Sequence, residues 1–186
     1  MRSGGIVFMF LFALFLSSCQ HTRQVPPPDN LEKISKQEQL FKINQYLVRQ
    51  DATIIRSEAI RRGWNLKETA TGLFYEILPD NQAKSEKNPD ISSGDEVTLD
   101  YTISLLDGTP CYSSVKLGPK VFRVENSEAE SGLHEAVQLL HQGDSARLIL
   151  PPHLGFGMVG DGNKIPPRAI LLYRIKIRTV TKLRNS

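Results

Sequence analysis

Three short stretches carry residue types and spacings that could support ligand chemistry. "GFGMVG" at residues 155–160 has the spacing of a dinucleotide-binding turn, "HEAVQ" begins like a zinc-protease helix, and "DGNKI" begins like a calcium loop. A dinucleotide turn needs a strand that runs into the glycines and a helix that leaves them, because the helix N-terminus holds the pyrophosphate. Pro151 and Pro152 end the strand, and "DGNKIPP" prevents a helix, so we expect no nucleotide site.

The remaining chemical motifs are incomplete. Gln138 occupies the position where a zinc helix needs its second histidine, and Ile165 and Pro166 stand where a calcium loop needs oxygen ligands and a glycine. No Gly-x-Ser-x-Gly frames a serine. The sequence therefore predicts no metal, no cofactor and no covalent catalysis.

The charge balance indicates no nucleic-acid partner. The chain has 23 Lys plus Arg and 20 Asp plus Glu, a formal charge of +3. Its most basic stretch, Arg174, Lys176 and Arg178, alternates along a predicted strand, which is typical of a solvated face.

The N-terminal residues have the pattern of a lipoprotein leader. Arg2 precedes an apolar run that is too short to span a membrane, and "LSSC" ends at Cys19 and resembles the bacterial lipobox. We expect residues 1–18 to be a lipoprotein signal peptide and Cys19 to be acylated in the lipid bilayer; an ordinary secretory cleavage site is the alternative. Only Cys111 then remains, so no intramolecular disulfide is expected.

A tether and a helix are expected next. Residues 19–30 contain three consecutive prolines and predict a lipidated, semi-rigid spacer. Residues 31–63 are good helix formers that end at Gly63. An interrupted apolar seam along this helical arm leaves two alternatives open, packing on its own domain and a homodimer; the seam consists of Leu40, Ile43, Leu47 and Ile54.

Residues 64–186 predict one α+β domain. Period-two alternation in "EVTLDYTISL" and "LLYRIKIRTV" predicts half-buried antiparallel strands, and "TGLFYEIL" and "SARLIL" predict two more. Residues 131–143 have helical spacing and end at Gly143. The pattern indicates an antiparallel sheet packed on one short helix.

The ordered motifs "GDEVTLDYTISLLDGTPCYSS", "GLHEAVQLLHQGDSARLILPP", "GFG" and "KIPPRAILLYRIKI" resemble the FKBP-type peptidyl-prolyl cis-trans isomerases, over roughly residues 71–182. With the lipobox and the helical arm, the chain is similar to the lipoprotein members, in particular those associated with gliding motility. The resemblance implies an FKBP-like sheet wrapped around a short helix, and a hydrophobic pocket roofed by the glycine-containing loop.

The same resemblance implies the site residues. Tyr101, Phe156 and Ile165 fall at catalytic pocket positions, and the backbone N–H of Glu130 falls where the family hydrogen-bonds a substrate carbonyl. The remaining positions implied for substrate binding are Cys111, Tyr112, Phe122, Ala129, Leu133 and Tyr173.

Several pocket positions depart from the family. Cys111 and Tyr112 replace Phe-Asp, Leu133 replaces tryptophan, and Phe156 replaces a tyrosine that donates a hydrogen bond. Lys164 adds a charge at the rim. Two functions follow: a membrane-anchored isomerase of proline-containing envelope proteins, weakened by these changes, or a catalytically degenerate binding or chaperone subunit of an envelope assembly. The sequence after Cys19 favours an outer-membrane anchor that faces the periplasm.

Overall fold

The computed structural model describes residues 36–79, 90–126 and 128–182. The expected signal peptide, the tether and Cys19 lie outside the described residues. The chain divides into two compact units, Met1–Gln39 and Leu40–Ser186. The first is described only at residues 36–39, where a helix that continues into the second unit begins.

The second unit is built on a seven-stranded antiparallel sheet. Its strand order is β1-β2-β6-β7-β3-β4, and β5 pairs with β3 beside β4. The strands are β1 Lys67–Glu68, β2 Phe74–Leu78, β3 Glu96–Leu105, β4 Pro110–Ser113, β5 Lys120–Arg123, β6 Ser145–Leu150 and β7 Leu171–Thr181.

The two long strands, β3 and β7, lie side by side at the centre of the sheet, as their alternation predicts. Val97, Leu99 and Ile103 of β3 are buried, and so are Tyr173, Ile175 and Ile177 of β7. Arg174, Lys176 and Arg178 point to the opposite, exposed face. The predicted α+β fold with an antiparallel sheet is therefore confirmed.

The inner face of the sheet is covered by a helix shorter than predicted. This helix, Ser131–Val137, buries Leu133, Ala136 and Val137 in the main core. The prediction of a helix over residues 131–143 was wrong beyond Val137, because Leu139 and Leu140 donate to carbonyls three residues back and the chain turns towards β6. A four-residue helix, Ser114–Leu117, and a 3₁₀ turn, Pro152–Leu154, were not predicted.

The N-terminal helix is confirmed over Lys36–Arg62, and we call it α1; Ser114–Leu117 is α2 and Ser131–Val137 is α3. Gly63, at φ 65°, ends α1. Its N–H donates to the Ile60 carbonyl at 3.2 Å and the next N–H, of Trp64, donates to Ala59 at 2.9 Å, which is the Schellman arrangement.

The C-terminal half of α1 packs on the outer face of the sheet. Ile55 forms a second apolar cluster with Phe74, Ile149 and Leu172, which alternate with inward-facing residues of β2, β6 and β7. The buried stripe of α1 contains Asp51, Ile55 and Ala59. The predicted seam is different: Leu40, Ile43 and Ile54 are exposed. Of the two alternatives, packing on its own domain occurs, and it uses other residues. Within the described part of the chain, no helix has the length and apolarity to cross a membrane.

Ile55→Ala should destabilise the domain by about 3 kcal/mol, because it removes a fully buried side chain and leaves a cavity that α1 cannot close. Ile60→Ala is the matched control, since Ile60 lies on the same helix and is 82% exposed whereas Ile55 is 0% exposed. Urea unfolding measures both variants, and we expect a change within about 0.5 kcal/mol for the control. Equal effects would contradict the packing of α1 on the sheet.

Candidate functional site

Nine of the ten predicted site residues lie in or against one buried apolar cluster at the inner face of the sheet. Five are buried members of the cluster: Cys111 of β4, Phe122 of β5, Leu133 of α3, Ile165 of the segment after β6, and Tyr173 of β7. Four are partly buried and pack against it: Tyr101 of β3, Tyr112, Ala129 and Phe156. Because neighbouring antiparallel strands place alternate residues on the same face, β3 and β7 bring Tyr101 and Tyr173 together although they are distant in sequence.

Glu130 adds a carboxylate to this apolar cluster. Its side chain is only 8% exposed; one oxygen accepts from the Tyr173 hydroxyl at 2.9 Å and the other from the Lys120 ammonium at 2.8 Å. The network joins β5, β7 and the residue before α3. The family resemblance implies only a backbone role for Glu130, whereas its side chain is a structural link inside the candidate site.

The two tyrosines of the cluster stay protonated. Burial and then the Glu130 charge raise the pKa of Tyr101, and the same two causes raise the pKa of Tyr173 far above its usual range. Tyr173 is therefore a permanent donor to Glu130. Tyr101 is partly buried, and its backbone N–H donates to the Ser114 hydroxyl at 3.1 Å, which fixes the strand at this point.

A loop of residues 155–168, which we call the glycine loop, carries Phe156, Lys164 and Ile165. The 3₁₀ turn precedes it, and no helix follows the glycines within these described residues, as expected from the prolines. At Gly160, a Cβ atom would lie 2.2 Å from the Ile165 carbonyl oxygen, so the glycine permits the loop to fold back on itself. Phe156 is partly buried against the main core.

Asp161 holds the far side of the glycine loop. One of its oxygens accepts from the backbone N–H groups of Asn163 at 2.9 Å and Ile165 at 2.8 Å, and the other accepts from the Tyr112 hydroxyl. Desolvation opposes its ionisation, but the Tyr112 hydroxyl and the two backbone donors outweigh it and lower the pKa of Asp161.

Strand β4 and the glycine loop are also joined at the rim. The Lys164 ammonium donates to the Cys111 carbonyl at 3.1 Å and lies 5.3 Å from the centre of the Tyr112 ring. The Cys111 thiol is buried and contacts the Lys164 carbonyl at 3.7 Å. Burial raises the pKa of Cys111, so this position supplies a neutral thiol and not a nucleophilic thiolate.

Two further residues, whose roles were not predicted from the sequence, contribute to this site. Lys120 and Asp161 make their key bonds to Glu130 and Tyr112, 10 and 49 residues away in sequence. The Asp-Gly-Asn start of "DGNKI" was a signal that Asp161 would bond backbone N–H groups two and four residues later. Nothing in the sequence indicated the partner of Lys120.

The arrangement provides an apolar, aromatic-edged surface that is lined by protonated hydroxyls and a paired carboxylate. Ala129 is partly buried beside it. Among the described residues, no cluster of three or more His, Cys, Asp or Glu could hold a metal ion. Such a surface can bind an apolar segment of polypeptide and hold it in a particular geometry.

Comparisons with known proteins agree with this fold. The model of the FKBP-type peptidyl-prolyl cis-trans isomerase family matches residues 87–178, about half of the chain. The chain is 36% identical over 113 residues to a probable FKBP-type peptidyl-prolyl cis-trans isomerase, FkpA, of Neisseria meningitidis, and the match covers 60% of this chain and 39% of that protein. It is 34% identical over 113 residues to the outer membrane protein MIP of Legionella longbeachae, with 60% and 46% covered.

A solved structure agrees as well. The crystal structure of a peptidyl-prolyl cis-trans isomerase from Pseudomonas syringae superposes with a TM-score of 0.59 and 25% identity, covering 74% of this chain and 96% of that one. The fold and the cluster of site residues define an FKBP-like α+β domain. The chain belongs to the FKBP-type peptidyl-prolyl cis-trans isomerase family. It spans less than half the length of the Neisseria and Legionella relatives.

Proposed function

We propose that the chain is a peptidyl-prolyl cis-trans isomerase that acts non-covalently on X-Pro bonds of envelope proteins. The observation that carries this proposal is that Tyr101, Leu133 and Tyr173 pack in one cluster with Ile165 of the glycine loop. Family membership supports the same activity.

The apolar surface suits this reaction. Resonance makes the peptide bond planar, and rotation crosses a barrier of about 18–20 kcal/mol. The cis and trans forms of X-Pro lie close in energy, so a site that binds the twisted amide better than either planar form accelerates their exchange. Tyr101 and Phe156 are partly buried and can contact a bound proline, while the buried Leu133 and Ile165 exclude water behind it.

The chain is proposed to be anchored to a membrane through acylated Cys19. The "LSSC" sequence and the apolar run before it support this, and so does similarity to a protein whose name places it in the outer membrane. Three acyl chains on a lipoprotein cysteine exceed the two signals that stable anchoring requires. The proline-containing tether would hold the domain at the periplasmic side of the outer membrane, within reach of exported proteins.

Helix α1 is proposed to support a homodimer. Leu40, Phe41, Ile43 and Tyr46 are at least half exposed on its N-terminal half, away from Ile55, which packs on the sheet. A second α1 would cover these apolar side chains.

A second candidate function is a binding or chaperone subunit of an envelope assembly, such as a gliding or secretion apparatus, with little isomerase activity. Ile165 and Tyr173 are 1% and 0% exposed, so they present little surface to a substrate. Phe156 also lacks the hydroxyl of the family tyrosine.

The deciding experiment is cis/trans exchange of X-Pro peptides measured by NMR with the full chain in a mild non-ionic detergent. An isomerase should raise the exchange rate well above background, and the rate should return to background when the chain is unfolded in urea. A folded chain that leaves the rate at background would exclude the isomerase and favour the binding subunit.

Phe156→Tyr should raise the exchange rate by about twofold to tenfold. The new hydroxyl restores one hydrogen bond to the substrate carbonyl, which contributes about 0.5–1.5 kcal/mol. Phe41→Tyr is the control for the substitution itself, since Phe41 lies on α1 outside the candidate site and is 60% exposed. An unchanged rate in Phe156→Tyr would show that another departure, Leu133 or Cys111, limits activity.

A further inference from the structure

Helix α1 reaches the glycine loop through one ion pair. Asp51 lies on the buried stripe of α1, and its two carboxylate oxygens lie 3.0 and 3.2 Å from one guanidinium nitrogen of Arg168. The Asp51 side chain is 9% exposed. A carboxylate that is this buried requires a partner, and Arg168 supplies it.

Arg168 also holds the loop through its backbone. Its φ is 58°, a conformation that residues other than glycine rarely adopt. In this conformation its N–H donates to the Gly157 carbonyl at 3.0 Å and closes the two ends of the loop. An unfavourable backbone conformation persists where surrounding contacts enforce it. For Arg168, the ion pair of its side chain with Asp51 is such a contact.

Two backbone hydrogen bonds cross-link the loop between these two ends. The Gly160 N–H donates to the Phe156 carbonyl at 3.1 Å and the Asp161 N–H donates to the Ile165 carbonyl at 3.1 Å. We therefore expect a displacement of Arg168 to shift Phe156 and Ile165, the two predicted catalytic positions in the loop.

We propose that Asp51 and Arg168 are positioning residues through which helix α1 fixes the glycine loop at the candidate prolyl site. This inference rests on the proposed function and extends it, since it makes the N-terminal helix a control element of the site. A partner that pulls α1 away from the sheet would release the loop and lower activity.

The test compares two variants in the full chain, each of which removes one charge from α1. Asp51→Asn removes the charge and keeps the shape, and Arg56→Gln breaks another ion pair of α1, Arg56 with Glu68 at 2.7 Å, which does not involve the loop. Asp51→Asn should lower kcat/KM for an X-Pro peptide about fivefold to tenfold, chiefly through kcat, and Arg56→Gln should leave it unchanged. Arg168→Gln should match Asp51→Asn, and the double variant should lose no more than either single variant, because the two residues act through one contact.

Hydrogen exchange of the loop amides gives a readout that does not depend on activity. In Asp51→Asn the Arg168 N–H should exchange about tenfold faster, whereas the β3 amides should keep their wild-type rates. If the wild-type chain shows no isomerase activity but Asp51→Asn still speeds hydrogen exchange in the loop, the proposed function is refuted and the positioning role stands. Unchanged loop exchange in Asp51→Asn, or equal loss of kcat/KM in Asp51→Asn and Arg56→Gln, would overturn the inference.

Discussion

Gly160→Ala should lower isomerase activity at least about 100-fold in a domain that still folds. A Cβ atom at Gly160 would lie 2.2 Å from the Ile165 carbonyl oxygen and 2.7 Å from the Pro166 carbonyl carbon. Both are backbone atoms, so the 160–166 segment must shift by about an ångström to accept the methyl group. A displacement of that size at a catalytic group costs about 100-fold in rate.

Gly162→Ala is the matched control, because it carries the same backbone strain from a positive φ without the steric clash of Gly160→Ala. Gly162 lies in the same loop at φ 71°, close to the 76° of Gly160, but nothing lies within 4 Å of its Cβ position. Both variants therefore strain the backbone by about 1–2 kcal/mol, and only Gly160→Ala moves Ile165. We expect Gly162→Ala to keep activity within about threefold of wild type in the NMR exchange assay. A Gly160→Ala protein that is folded and retains half of its activity would show that the glycine loop does not form part of the site.

The sheet was predictable because strand periodicity reports burial directly. Tyr173, Ile175 and Ile177 alternate with three basic residues, and a single register places all three inside. The order of the strands in the sheet was not predicted, because periodicity does not determine which strands pair. The candidate site residues came from the resemblance to the family, and nine of the ten lie in or against the main core cluster once β3 and β7 pair.

Packing across long sequence separations was not predictable. In α1, Ile54 fits a regular seam, yet Ile55 is the buried residue, because the sheet and not a second helix selects the face that packs. In α3, the apolar spacing continues to Leu140, but the chain must leave the helix after Val137 to enter β6. Leu140 is nevertheless buried, so the apolar pattern predicted its burial correctly although it predicted the wrong secondary structure.

The polar links of the site were hidden for the same reason. Lys120, Asp161 and Asp51 look like ordinary surface charges in the sequence, and their roles depend on Glu130, Tyr112 and Arg168, which the fold brings to them. Only Asp161 had a local signature, since the backbone N–H groups that donate to its carboxylate lie two and four residues later in the sequence.

Lys120→Met should lower the free energy of unfolding by about 2–3 kcal/mol. The Glu130 carboxylate is only 8% exposed. In this variant it would keep the hydrogen bond from the Tyr173 hydroxyl and lose the ion pair with Lys120, its only cationic partner among the described contacts. Breaking a buried pair costs about 3–5 kcal/mol, and Lys120 is 29% exposed, so solvent reduces the loss. Urea unfolding measures the change, and Arg178→Gln is the control, because its ion pair with Asp100 is exposed and should contribute less than about 0.5 kcal/mol.

The triple variant Lys120→Met, Glu130→Leu and Tyr173→Phe should recover most of the stability lost in Lys120→Met. It replaces all members of the network with apolar side chains of similar size, and removing both partners of a buried polar contact is nearly neutral. Recovery to within about 1 kcal/mol of wild type would show that the cost in Lys120→Met comes from an unpaired carboxylate. A triple variant as unstable as Lys120→Met would instead show that the Lys120 side chain stabilises β5 by packing, and that the carboxylate network contributes little to the fold.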